Sequence, residues 1–274
     1  MTLAETVRSP APAPPASPHH LQTVRRVHHW TDQLFSFAIE RPETFRFRSG
    51  EFVMIGLPGE DGAKPVLRAY SIASPAWSDE LEFFSIKVAD GPLTARLQRI
   101  EPGDTLLLGR KPTGTLVLDA LRPGRRLFLI GAGTGLAPWL SVARDPDVYD
   151  RFESVVVVHS VRRVADLAYR DLLEGGIFDD PLVGPSAQER LIYYPTVTRE
   201  PFDRTGRITA RIESGAFFRD LSLPVAFDPD QDRLMLCGSM AMIRDVAAIL
   251  ERQGLTEGSN AAPGDFVLER AFVS

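Results

Sequence analysis

One cysteine, Cys237, occurs in 274 residues. The chain therefore closes no internal disulfide and lacks the four thiolates of a ferredoxin-type iron–sulfur cluster. Long hydrophobic runs are missing too: no window approaches 18 uninterrupted apolar residues, which excludes a helix spanning a bilayer. Histidine is scarce and badly placed for zinc, with His19, His20, His28 and His29 crowded near the start and none at ligand spacing from Cys237. Excess positive charge is absent, the net charge being −5, which argues against nucleic acid as a main partner. The opening residues hold neither the apolar core of a signal peptide nor the arginines of a transit peptide, so the expected location is the cytoplasm.

What remains is the composition of a globular protein, 44% apolar and 24% charged, long enough for two domains. Residues 1–20 contain Ala-Pro-Ala-Pro-Pro-Ala-Ser-Pro, which cannot pack a core and is expected to be a disordered tail. From Thr23 to Glu40 two alternating runs around Thr31-Asp32 predict a hairpin. Further strands are expected at 50–57, 66–73, 81–88, 105–108 and 116–118, a spacing that suggests a small antiparallel barrel over 21–122. Gly91 to Ile100 breaks this rhythm with Leu93, Leu97 and Ile100 on one helical face. Such a helix either offers its amino end to an anion or plugs the barrel.

The character changes at Leu127–Leu140, where four apolar residues run into Gly131, Gly133 and Gly135 and then into a helical pattern. Glycines at that strand-to-helix turn let backbone N–H groups approach a pyrophosphate, with the Thr134 hydroxyl as a further donor. The competing reading is a glycine-rich turn with no ligand, because Gly-x-Gly-x-Gly is not the usual dinucleotide spacing. Beyond it, strands at 155–159, 191–197, 234–238 and 266–270 alternate with helices at 165–173, 207–218 and 240–253. That alternation predicts a parallel sheet with helices on both faces over 123–274.

An NAD site would carry a carboxylate at the end of its second strand. Here that position reads His159-Ser160-Val161-Arg162-Arg163, and Thr198-Arg199 and Arg207 follow the next strand. Arginine without the acid favours NADP. In Arg68-Ala69-Tyr70-Ser71, alternation puts Arg68 and Tyr70 on one face, placing a phosphate partner beside an aromatic ring or making an ordinary surface pair.

Four segments in order, Arg-Ala-Tyr-Ser-Ile-Ala-Ser, Phe-Phe-Ser-Ile-Lys-Val-Ala-Asp-Gly-Pro-Leu-Thr, Gly-Ala-Gly-Thr-Gly-Leu-Ala-Pro and Met-Leu-Cys-Gly-Ser-Met-Ala-Met, resemble the motifs of bacterial ferredoxin (flavodoxin)–NADP reductases. The resemblance implies an FAD-binding barrel, with FMN as the alternative. Arg68 would hold the flavin phosphates, Ala69 would lie beside them, Tyr70 would stack on the ring and Ser71 would reach its N5 edge. Phe84, Ser85, Ile86, Lys87 and Val88 would line the cofactor, while Gly91, Leu93 and Thr94 would cap its pyrophosphate and Thr134 would also touch FAD. Ala271 and Phe272 would approach the ring from the carboxyl end.

For NADP the resemblance implies Gly133, Thr134 and Gly135 at the pyrophosphate. It places Arg162, Thr198, Arg199 and Arg207 around the 2′-phosphate, and Cys237, Gly238 and Ser239 near the nicotinamide. Ser71, Cys237 and Glu269 are the expected catalytic set, Cys237 as a positioning group and Glu269 in proton delivery. The activity implied is hydride exchange with NADP(H) and single-electron exchange with ferredoxin or flavodoxin, by a monomeric protein. The alternatives are the reductase component of an oxygenase-type complex and a flavin electron-relay subunit.

Overall fold

The structure is a computed structural model and describes residues 18–59 and 63–270, with the backbone alone at Arg270. Ala271, Phe272 and most of the expected tail lie outside the described residues. The expected hairpin is present as β1 (His19–His29) and β2 (Leu34–Glu40), so the barrel begins two residues before the expected boundary. The Thr31 hydroxyl accepts from the backbone N–H of Gln33 and Leu34 and so fixes the turn.

β3 (Phe52–Leu57), β4 (Val66–Ser71), β5 (Glu80–Ile86) and β6 (Thr105–Gly109) complete an antiparallel sheet of order β4-β3-β6-β1-β2-β5. A bridge between Ile72 and Phe83 joins the two outer strands and nearly closes the barrel. Alternation along the strands drives Phe35, Phe37, Val53, Ile55, Leu106 and Leu108 inward to one apolar cluster.

Two expectations need correction here. Residues 116–118 form no strand: Leu116 and Val117 are buried against the α/β unit, and a 3-10 turn follows at Leu118–Ala120. The helix expected from 91 to 100 is a single turn, α1 (Thr94–Leu97), because Pro92 and Pro102 bracket it closely. Leu93, Leu97 and Ile100 sink into the barrel cluster and so close its end, while the amino end of the segment stays at the surface.

The second unit starts with β7 (Arg126–Ala132), which enters a 3-10 turn at Gly133–Leu136 and then α2 (Ala137–Val142). There follow α3 (Pro146–Arg151), β8 (Ser154–Val161), α4 (Arg170–Glu174), α5 (Gly184–Arg190) and β9 (Leu191–Val197). The chain ends through α6 (Ile208–Glu213), α7 (Ala216–Asp220), β10 (Asp232–Gly238), α8 (Met240–Arg252) and β11 (Phe266–Arg270). All pairings are parallel, in the order β11-β10-β7-β8-β9.

Leu127, Leu129, Val155 and Val157 pack toward α2, α3 and α5, whereas Phe128, Ile130, Val156 and Val158 pack toward α6, α7 and α8. Both faces are covered, which is why these strands are continuous apolar runs. The helix expected at 165–173 is broken: Tyr169 takes a left-handed conformation with φ 59°, and α4 starts only after it. Leu34, Ala73 and Phe84 of the barrel join the cluster of the α/β unit, so one apolar core runs through the junction.

Candidate functional site

β7 has β8 on one side and β10 on the other, so connections leave it in opposite directions. The crevice beyond the carboxyl ends of such strands is where this architecture binds ligands. The glycine turn sits in that crevice. Gly133 has φ +56° and open space where a Cβ would stand. Gly135 is tightly held, since a Cβ there would lie 2.4 Å from the carbonyl oxygen of Cys237. The turn is thus pressed onto β10 at one glycine and open at another, a shape that suits a pyrophosphate approaching backbone N–H groups. Beneath it His159 is register partner of Gly131, and its Nδ1 lies 3.1 Å from the Tyr193 hydroxyl. Burial pulls the His159 pKa down to about 3, so the ring is neutral and brings no charge to the turn.

At the outer side of the sheet the backbone draws the arginine-bearing loops together. Arg199 N–H donates to the Arg162 carbonyl at 3.0 Å, Thr198 N–H and its hydroxyl both donate to the Val161 carbonyl, and Gly206 N–H returns to Val197. Arg162, Arg199 and Arg207 therefore leave one corner of the molecule. All three are exposed, and among the described residues no hydrogen bond or ion pair holds their guanidinium groups. Unpaired guanidinium groups meeting at strand ends fit a dianionic phosphate.

Cys237 and Glu269 are adjacent on β10 and β11, and the barrel segment after β6 reaches Glu269, while Ser71 lies further off at the end of β4. Ser71 is register partner of Phe52, and Phe52 bridges to Thr113. Two residues on, Thr115 donates its N–H to Glu269 Oε1 at 3.2 Å and its hydroxyl to the Leu268 carbonyl. Glu269 is register partner of Cys237. Glu269 Oε2 is buried with no partner among the described residues. Burial pushes the Glu269 pKa up to about 7; the Thr115 N–H works against this and the nearby Glu51 adds to it. Burial also raises the Cys237 thiol, with Glu269 contributing, so the sulfur stays protonated and is no nucleophile.

The remaining expected residues fall as follows. Tyr70 is half-buried, its hydroxyl 3.3 Å from Ser85 Oγ and its ring edge-on to Phe37 and Phe83. Arg68 and Ala69 are exposed, and among the described residues the Arg68 guanidinium hydrogen-bonds the Leu67 carbonyl. Phe84 points into the shared core, Lys87 Nζ donates to the Thr31 carbonyl, Ile86 is half-buried and Val88 exposed. Gly91 admits the Thr94 hydroxyl, which donates to the Val88 carbonyl, and the Leu93 side chain is buried. Ser239 caps α8 by accepting from Met242 N–H, next to Gly238, and Thr134 is half-buried on the glycine turn. Sequence reasoning missed Thr115 and Glu51, because only the folded junction brings them to Glu269.

Comparison with known proteins gives the family. Residues 129–248 match the oxidoreductase NAD-binding domain family. A flavodoxin/ferredoxin–NADP reductase of Rhodobacter capsulatus is 54% identical over 252 residues, covering 92% of this chain and 93% of the relative. A ferredoxin–NADP reductase of Pseudomonas aeruginosa is 50% identical over 255 residues, covering 93% and 98%. The crystal structure of a Neisseria gonorrhoeae ferredoxin NADP+ reductase with bound FAD and NADP superposes with a TM-score of 0.84 at 30% identity, covering 93% of this chain and all of that one. With half its residues shared along nearly its full length, the chain belongs to the bacterial ferredoxin (flavodoxin)–NADP reductase family.

Proposed function

We propose that the protein is an FAD-dependent reductase that exchanges a hydride with NADP(H) and single electrons with ferredoxin or flavodoxin. Bound FAD supplies the step from a two-electron donor to one-electron carriers. The chain supplies position and electrostatics. Arg68, Ala69, Tyr70 and Ser71, the strand 84–88, and Gly91, Leu93 and Thr94 are the proposed FAD contacts. Gly133, Thr134 and Gly135 would take the NADP pyrophosphate, and Arg162, Thr198, Arg199 and Arg207 the 2′-phosphate. Cys237, Gly238 and Ser239 would border the nicotinamide. The proposed division is a barrel domain over 21–122 and an α/β domain over 123–274.

The observation that carries the reading is the set of three guanidinium groups, unpaired among the described residues, at the carboxyl edge beside an open glycine turn. Its consequence is a preference for NADPH over NADH. Cys237 and Glu269 pair on adjacent strands, Thr115 ties Glu269 to the barrel side and Ser71 ends β4 there, which supports a nicotinamide beside Cys237 facing a flavin edge beside Ser71. The Cys237 sulfur shapes that gap without reacting, and Glu269 holds a proton there near neutral pH.

We place the reaction in the cytoplasm and take the working unit as a monomer, which elution at the mass of one chain tests. No helix among the described residues is long and apolar enough to cross a membrane. The deciding experiment uses the purified yellow protein under anaerobic conditions. Bleaching by NADPH, followed by reoxidation on adding ferredoxin or flavodoxin, supports the reading. Bleaching by dithionite alone overturns it in favour of an electron relay.

A further inference from the structure

The junction holds a charged cluster that the proposed chemistry does not use. Tyr169 stands immediately before α4 with φ 59°, one of two non-glycine residues at positive φ among those described. A bulky side chain rarely adopts that conformation, and it persists where surrounding contacts hold it. Here the contacts belong to the barrel. The Tyr169 ring lies 4.5 Å from Trp30 and 5.4 Å from Phe84, centroid to centroid, and its hydroxyl donates to Glu82 Oε1 at 3.0 Å.

Arg144, just after α2, reaches the same place. Its guanidinium donates to the Leu140 carbonyl of its own helix at 2.8 Å and to the Ala73 carbonyl of the barrel at 2.7 Å. Burial lowers its pKa, and the charge of Glu82 acts against that. Glu82 links the two: its carboxylate, 14% exposed, accepts from Tyr169, lies 4.0 Å from Arg26 Nη1 and acts on Arg144 through its charge without a direct bond. Its carbonyl accepts from Ala73 N–H at 2.8 Å and its own N–H donates to Ser74 Oγ at 3.1 Å. Ala73 is two residues from Ser71, and α2 leaves directly from the glycine turn. A short path of hydrogen bonds therefore joins the turn that would hold one nucleotide to the strand end that would touch the other.

We propose that Tyr169, bonded to Glu82, and Arg144, bonded to the carbonyl of Ala73, whose N–H pairs with Glu82 across the barrel, form a latch that sets how the nicotinamide approaches the flavin, which makes both of them positioning residues for hydride transfer. The inference rests on the function proposed above, because it presumes two nucleotides meeting at this junction. Donor and acceptor must be held at a near-attack separation of about 3–3.5 Å for fast transfer, so loosening the latch costs rate at saturation rather than affinity.

The test uses FAD-loaded Tyr169→Phe, which keeps the ring and removes the donor, and Glu82→Gln, which keeps an acceptor for Tyr169 and removes the charge facing Arg144. Stopped-flow reduction at saturating NADPH is expected to fall roughly 10-fold in either variant. The Kd for NADPH stays unchanged and the nicotinamide–flavin charge-transfer absorbance weakens. Hydrogen exchange at the Ile72 and Ala73 amides of the oxidised protein, without NADPH, is expected to quicken. The double variant is expected to lose no more than the worse single variant, since both changes open one device. Unchanged saturating rates, a loss in Kd alone, or additive losses in the double variant would each overturn the latch. Failure of NADPH to reduce the unaltered protein would instead overturn the proposed function, and the exchange experiment, which needs no NADPH, keeps the two failures apart.

Discussion

Cys237 and Glu269 are register partners on adjacent parallel strands, a buried thiol beside a carboxylate that has one oxygen bonded to Thr115 N–H and the other without a partner among the described residues. Burial opposes ionisation of both, the Glu269 charge adds to that opposition at Cys237, and Glu51 adds to it at Glu269. The pair therefore presents a neutral thiol and a carboxyl group that titrates near neutrality at the place where hydride transfer is proposed.

A pH dependence follows, with its sign set by Glu269. Its folded pKa of about 7 stands above the ordinary carboxylate value, so the native state binds the extra proton and is favoured at low pH. That contribution is complete below about pH 4.5 and is lost as pH rises through about 7. Glu269→Gln should remove the trend. Denaturant unfolding across this window should show the unaltered protein losing about 1–3 kcal/mol relative to the variant. The NADPH-reduction profile should lose an inflection near neutrality in the variant, and an inflection kept intact would assign it to another group.

For Arg199 the expected change is in nucleotide choice. Its guanidinium has no partner among the described residues, so removing it breaks no internal ion pair and folding is unaffected. A charged hydrogen bond to phosphate is worth about 1.5–3 kcal/mol, so Arg199→Ala should raise the KM for NADPH about 10- to 100-fold and leave NADH nearly unchanged. Arg207→Ala should act in the same direction. Steady-state kinetics with both nucleotides measures this, and equal losses for both would remove these arginines from the 2′-phosphate.

The parts of this molecule that the sequence announces are those with local causes. Alternation around Thr31-Asp32 places the hairpin, and the apolar run 155–158 marks a strand covered on both faces. The free arginines at 162, 199 and 207 were legible because strand ends in a parallel sheet share an edge. What was not legible depends on contacts distant in sequence. Tyr169 lies inside a stretch of good helix formers, and only Trp30, Phe84 and Glu82 of the other unit explain why the helix breaks there. Leu116 and Val117 have strand composition, yet their burial against the α/β unit leaves no neighbouring strand to pair with.

Stability and chemistry should separate at Asp232. At the amino end of β10 its Oδ1 accepts from Arg126 Nε at 2.5 Å and its Oδ2 from Asp228 N–H at 2.8 Å, with the side chain 2% exposed. Removing one partner strands a buried charge. Asp232→Ala should cost about 3–5 kcal/mol, read as a lower Tm. This end of the sheet is opposite the glycine turn, so flavin reduction by the folded fraction should keep its rate.

The two central glycines of the turn should respond differently to one added methyl group. At Gly135 a Cβ would sit 2.4 Å from the Cys237 carbonyl oxygen and 3.0 Å from the Gly238 nitrogen, both backbone atoms that cannot swing aside. Gly135→Ala must therefore push the turn away from β10, which displaces Cys237 and the amino end of α2 together. At Gly133 nothing lies within 4 Å of the added atom, so the cost is only that of holding alanine at φ +56°. That strain is about 1–2 kcal/mol and leaves the turn in place. Gly133→Ala should accordingly lower Tm by a few degrees and retain NADPH reduction, unless the new methyl meets the pyrophosphate, in which case KM rises while 2′-AMP, which lacks that group, binds as before. Gly135→Ala should lose both Tm and the saturating rate of reduction. Comparable, mild losses in both variants would show that the turn is not pressed against β10 in solution.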